Sequence, residues 1–152
     1  PANPTTCTLR RAIVEASNLS AGQLPALIQF NIPADAANNY NAALGIWKIP
    51  LYATTQLSAL PRMGGQITID GYTQNGGTVI GPKIFLVGPG TGSKDGLVVG
   101  DIAGDNEIVI RGLAFQNFKT AVNYLGGMDN KSPCSLPAMN QTLGFKCAHG
   151  FS

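Results

Sequence analysis

The spacing of apolar residues near the N-terminus predicts an amphipathic helix. Between Thr8 and Asn18, apolar side chains recur at intervals of three and four residues, which places them on one helical face. They are Leu9, Ala12, Ile13 and Ala16. Thr8 is a suitable N-cap because its hydroxyl can accept a hydrogen bond from an amide of the first turn. We therefore expect a helical segment within residues 7–22.

Beyond this helix, apolar residues occur at every second position, which is typical of strands with one buried face. The clearest example runs from Gln66 to Asp70, where Ile67 and Ile69 are predicted to point inward. Other short segments with apolar or alternating character are also predicted as strands. They lie at 27–32, 46–49, 83–87, 96–100, 107–118 and 121–125.

The predicted strands follow one another at intervals of about twenty residues. Their apolar centres are separated by 19, 20, 17 and 24 residues, and are Ile28, Trp47, Ile67, Ile84 and Ile108. Glycine, proline or asparagine follows each strand, which favours tight corners. This pattern predicts an all-β solenoid of stacked parallel coils, with strands over 27–125 and the helix covering the first coil. A β-sandwich is the alternative, although only Asn75-Gly76 offers a two-residue hairpin turn.

The composition indicates one domain and excludes several classes of protein. The 152 residues fit a single domain over 1–152, in which we expect 126–152 to form an irregular C-terminal tail. Charged residues make up 12% of the chain, about half the roughly 25% of an average domain, and the net charge is only +2. A nucleic-acid partner is therefore not expected. No apolar run is long enough to predict a membrane span.

The cysteines and the N-terminus favour a secreted or cell-surface location. Cys134 and Cys147 lie thirteen positions apart in the tail, a spacing that suits a local disulfide. Cys7 is then left to bridge two chains or to remain a free thiol. The chain begins at Pro1 with small residues after it, as a mature end does after removal of a signal peptide.

Few residues suggest metal or catalytic chemistry. Asp101, Asp105 and Glu107 lie close together and could bind calcium through oxygen atoms, with an ordinary turn as the alternative. No other metal or cofactor is expected. Asp70 faces outward without a second carboxylate on the next predicted strand, so an Asx turn before Gly71 is favoured over a hydrolase acid. We assign no catalytic residue, and the sequence leans away from an enzyme.

Two aromatic residues are candidates for contact with sugars. Trp47 and Tyr72 could form part of a stacking platform for a glycan, together with other tyrosines of the chain. The alternative for Trp47 is a place in the core, because Ile49 lies beside it in the same predicted strand.

Several segments resemble exported bacterial right-handed parallel β-helix proteins. The sequence Cys-Thr-Leu-Arg-Arg-Ala-Ile at 7–13 is similar to the Cys-Ser-Leu-Arg-Glu-Ala-Ile motif of their N-terminal cap. Further segments resemble the first rungs of these proteins, and they lie at 28–32, 67–74, 95–97 and 110–115. The resemblance implies a short right-handed parallel β-helix and export, but no activity.

The function hypothesis from the sequence is a non-catalytic, exported structural or adhesive module. Low surface charge and an open sheet edge suggest association of copies end to end into a fibre. The expected partners are therefore the chain itself, cell-surface components or polysaccharide. A carbohydrate-active enzyme, either a polysaccharide lyase or a hydrolase, and a sugar-binding module are the alternatives.

Overall fold

The computed structural model describes residues 7–51, 60–77, 80–90, 94–100, 107–125, 136–137 and 142–148. Within these residues the chain forms one α-helix, ten strands and three short 3-10 turns. The helix is α1 (Leu9–Ser17). The strands are β1 (Ala26–Gln29), β2 (Tyr40–Asn41), β3 (Ile46–Pro50), β4 (Gln66–Asp70), β5 (Ile84–Val87), β6 (Asp95–Val99), β7 (Glu107–Gln116), β8 (Thr120–Tyr124), β9 (Leu136–Pro137) and β10 (Thr142–Ala148).

Helix α1 confirms the predicted amphipathic segment. The Thr8 side chain accepts a hydrogen bond from the Arg11 amide at 3.2 Å, as the N-cap prediction requires. Ile13 and Ala16 are buried on the apolar face, and the helix lies against β1. An ion pair between Arg11 and Glu15 joins successive turns on the exposed face.

The strands form two sheets in which parallel and antiparallel pairs are mixed. The larger sheet has the order β1-β4-β7-β5-β3-β2, with β10 also paired to β7. The smaller sheet has the order β6-β8-β9. Pairs β1–β4, β4–β7, β5–β7, β3–β5 and β6–β8 are parallel, whereas β2–β3, β7–β10 and β8–β9 are antiparallel.

Strand β7 bends the larger sheet because its two halves have different neighbours. Its first half, up to Arg111, pairs with β4, and its second half, from Leu113, pairs with β5. Gly112 lies between the halves with φ +67°. A Cβ atom on Gly112 would lie 2.4 Å from the Tyr72 amide nitrogen, so only glycine fits this bend. The sheet thereby curls into a half-barrel.

One apolar core joins both sheets and α1. On the inner face of the larger sheet, Trp47, Ile84 and Leu113 lie opposite one another in register, and all three are fully buried. Leu97 and Val122 form a similar buried pair in the smaller sheet. Inward positions predicted from the alternation, such as Ile67 and Ile69, are confirmed by their burial.

The predicted all-β parallel β-helix solenoid is wrong. The structure is mostly β with one helix, and its larger sheet is a curled mixed sheet, not a regular stack of parallel coils. Of the strands predicted to follow one another at about twenty residues, only β5 and β7 pair, and there Ile84 lies opposite Leu113 and not opposite Ile108. Strand β1 pairs with β4, where Ala26 lies opposite Ile67, and β3 pairs with β5, where Trp47 lies opposite Ile84. Three antiparallel pairs also interrupt the parallel order.

The physical reason for this error is that alternation identifies the buried face of a strand but not its neighbour. Every apolar strand offers the same backbone donors and acceptors, so the interval between strands does not determine which of them pair.

The segment 126–152, predicted as an irregular tail, contributes strands β9 and β10. In the part of the chain that the structure describes, no helix is long and apolar enough to cross a membrane.

Candidate functional site

A row of polar side chains crosses three neighbouring strands of the larger sheet. Gln29 on β1 lies opposite Asp70 on β4, and Asp70 lies opposite Arg111 on β7. Gln29 is exposed. The Arg111 Nη2 atom donates to Asp70 Oδ2 at 2.6 Å. The side chain of Asp70 is 8% exposed and that of Arg111 is 52% exposed, so the buried carboxylate orients a guanidinium that reaches solvent.

The corner that follows β4 is held in place by the same carboxylate. Asp70 Oδ1 accepts a hydrogen bond from the Tyr72 amide at 3.1 Å, which is the Asx turn predicted from the sequence. The Thr73 hydroxyl donates to the Asp70 carbonyl oxygen at 2.7 Å and accepts from the Phe30 amide at 2.8 Å. The corner is therefore bound both to the end of β4 and to the chain that leaves β1.

The buried side chain of Gln74 extends the pairing between these two segments. Its Oε1 atom accepts from the Ile32 amide at 2.8 Å, and its Nε2 atom donates to the Ile32 carbonyl at 3.0 Å. Nε2 also donates to the Asn75 carbonyl at 2.9 Å. One side-chain amide thus replaces the backbone partner that Ile32 would have in a longer strand, and it fixes the position of the corner.

Tyr72 projects from this fixed corner into solvent and is 57% exposed. The base of its ring lies over Gly112, where an added Cβ would meet Tyr72 Cγ at 2.8 Å. Arg111 directly precedes Gly112 in the chain, so its backbone lies next to the residue that the base of the Tyr72 ring covers. Asp70 connects the two groups, because one carboxylate oxygen binds the Tyr72 amide and the other binds Arg111.

We use the term corner patch for the exposed side chains of Gln29, Tyr72 and Arg111 around the buried Asp70. The patch combines an aromatic face, a charged planar donor and a neutral amide. This combination can stack on a flat ligand and bind its oxygen atoms by hydrogen bonds.

The structure separates the two predicted sugar-contact residues. Tyr72 belongs to the corner patch, whereas Trp47 is fully buried. The Trp47 indole nitrogen donates to the Pro33 carbonyl at 3.0 Å, and its ring centroid lies 4.7 Å from that of Tyr40. The core alternative for Trp47 is confirmed, because no face of this ring is accessible to a sugar.

The calcium candidates lie mostly outside the described residues. Asp101 and Asp105 fall outside them, and Glu107 is exposed at the start of β7, opposite Gln66. In the described part of the chain, no three histidine, cysteine or acidic residues form a group that could hold a metal ion.

The structure describes the side chain of only one of the three cysteines. Cys7 is an exposed free thiol that precedes α1. Cys134 lies outside the described residues, and so does the side chain of Cys147, whose backbone lies in β10. The Cys134–Cys147 disulfide therefore stays a prediction.

Sequence reasoning identified Tyr72 but missed Gln29 and Arg111 as its neighbours. The signal that could have found them is their constant separation, because both Gln29 to Asp70 and Asp70 to Arg111 span 41 residues.

Comparisons of the chain with protein-family models, curated proteins and solved structures give no significant match. The function is therefore argued from the corner patch.

Proposed function

We propose that this protein is a non-catalytic, exported adhesive module that binds carbohydrate at the corner patch. The observation that carries the proposal is that one buried carboxylate, that of Asp70, binds both the backbone of the exposed Tyr72 and the guanidinium of Arg111. The negative face of an aromatic ring attracts the C–H groups of a sugar ring. Arg111 and Gln29 supply the few polar groups that fix the orientation of a ligand.

The bonding of Asp70 supports binding over catalysis. Both of its oxygens are engaged, one by Arg111 and one by the Tyr72 amide, so the carboxylate acts as a support. A glycoside hydrolase uses two carboxyl groups on either side of the scissile bond. In the registers of the described strands, Asp70 faces Arg111, Glu107 faces Gln66 and Asp95 faces Thr120. None of these pairs brings two carboxylates together.

The composition supports the exported and adhesive parts of the proposal. A chain with few charges and many asparagine, threonine and glycine residues suits contact with neutral or weakly charged polymers outside the cell. Polysaccharide of a cell surface or matrix is therefore the partner we propose.

Binding to immobilised glycans tests the proposal with one variant and one control. Replacing the exposed ring (Tyr72→Ala) removes the stacking surface, and we expect affinity to fall about tenfold or more, a loss of roughly 1.4 kcal/mol. Leu44→Ala shortens another exposed side chain, in the loop between β2 and β3, and should leave affinity unchanged. Equal binding by wild type and Tyr72→Ala, or no binding to any glycan, contradicts the proposal.

Self-association is the second candidate function, and strand β1 favours it. In the described part of the chain, β1 pairs with β4 on one side, and Leu27 on its outer face is 56% exposed. An edge strand offers backbone donors and acceptors to a strand of another copy. Strand β2, at the other end of the larger sheet's order, has only 2 residues against the 4 of β1, so this candidate rests on β1.

A further inference from the structure

The charge that the corner patch presents to solvent is positive. Asp70 is almost completely covered, while half of the Arg111 side chain is exposed. A guanidinium has five N–H donors, and among the described side chains Asp70 alone binds this one, through Nη2. The remaining donors are available on the side of the patch that faces solvent.

Apart from Asp70, the described neighbours of Arg111 on the outer face add no negative charge close to it. Gln29 lies two strands away, about 10 Å across the sheet, and is neutral. Val109, the preceding outward residue of β7, is also neutral. The exposed carboxylate of Glu107 lies four residues back along the same strand, about 13 Å from Arg111.

We propose that the corner patch selects sugars that carry a carboxylate, that is, uronic acids. This inference rests on the proposed carbohydrate binding and names its ligand class. The sugar ring stacks on Tyr72, and its carboxylate accepts two hydrogen bonds from the exposed side of the Arg111 guanidinium. Because the Asp70 ion pair already holds Arg111 in place, little side-chain entropy is lost when the ligand binds.

The experiment compares each acidic sugar with a neutral derivative of the same sugar. Oligomers of galacturonate, glucuronate and mannuronate are titrated by calorimetry, each in parallel with its own methyl ester. The ester removes the negative charge and keeps the sugar ring. For wild type, we expect at least one acid to bind about tenfold or more tightly than its ester.

Removing Arg111 alone would leave the buried Asp70 carboxylate without its ion-pair partner, which endangers the fold. The test variant therefore combines Asp70→Asn with Arg111→Gln, because the side-chain oxygen of the introduced asparagine can still accept from the Tyr72 amide. We expect this variant to bind acid and ester equally, at the affinity that wild type has for the ester. The single variant Asp70→Asn keeps the guanidinium but removes the ion pair that orients it, so it should keep a preference for the acid that is smaller than that of wild type.

The outcomes separate this inference from the proposed function. If every acid and its ester bind wild type equally and Tyr72→Ala weakens both, carbohydrate binding stands and the selection of uronates is wrong. A preference for the acid that persists after the double substitution also overturns the role of Arg111. If neither acids, esters nor other glycans bind, the proposed function itself fails.

Discussion

At the residue scale, Gly112 determines how the sheet bends beside the corner patch. Its φ of +67° and its close approach to Tyr72 leave no room for a side chain. Gly71 lies on the other side of this approach, and a Cβ there would lie 2.1 Å from the Gly112 carbonyl oxygen. Two glycines, one in the corner and one in the strand, thus allow the backbone of the corner to lie directly on the bend of β7.

We expect Gly112→Ala to lower the free energy of unfolding by more than about 2 kcal/mol. The left-handed backbone conformation costs roughly 1–2 kcal/mol for a non-glycine residue, and overpacking against Tyr72 adds to it. Urea denaturation measures the change. Gly22→Ala is the matched control, because nothing lies within 4 Å of a Cβ at that position. Equal stability of the two variants would show that the bend tolerates a side chain.

At the element scale, the corner after β4 is held by side chains that take the place of strand pairing. Thr73 and Gln74 bind the backbone of Phe30 and Ile32, beyond the last registered pair of β1 and β4. The corner therefore keeps its position without a continuous strand. This arrangement fixes the backbone of Tyr72 against the bend of β7 at Gly112, and the corner patch depends on it.

Replacing Gln74 should loosen this corner specifically. In Gln74→Ala, the partly buried amide and carbonyl of Ile32 lose their partner, and we expect a loss of about 1–3 kcal/mol of stability. Hydrogen exchange at the Ile32 amide should accelerate. Gln29→Ala removes the same side chain from an exposed position and should change neither quantity appreciably. Slow exchange at Ile32 in Gln74→Ala would contradict the role given to the side-chain amide.

At the scale of the whole molecule, the larger sheet ends at β1 on one side, and the proposed self-association depends on this edge. Helix α1 lies against β1, and the outward Leu27 remains exposed. Proteins commonly protect such an edge with charged side chains or a covering element. Here the helix provides part of that protection, and no charged residue occurs within β1.

If β1 joins copies of the protein, the mass measured by light scattering should rise with concentration. Leu27→Lys places a charge on this edge and should keep the protein monomeric. Leu44→Lys adds the same charge at another exposed leucine, and we expect the protein with this substitution to associate as wild type does. A wild-type protein that stays monomeric at high concentration excludes self-association, including the fibre.

The candidate site shows which functional residues the sequence could identify and which it could not. Tyr72 was a candidate for sugar contact because an aromatic ring can stack on a sugar, and the structure shows that its side chain is exposed. Trp47 had two interpretations in the sequence, and only its burial distinguishes them. Arg111 was not connected with Tyr72, because the ion pair that places it joins residues 41 positions apart.

The sequence by itself determined helix α1, its Thr8 cap, the Asx turn at Asp70 and the inward positions of the strands. These features depend on residues a few positions apart, whose hydrogen bonds and side-chain period are local. Only the tertiary structure decided which strands pair, that the two halves of β7 pair with different strands, and that the sheet curls without forming a solenoid. Strand pairing joins distant residues through backbone groups that are alike in every strand, so the local pattern could not specify it.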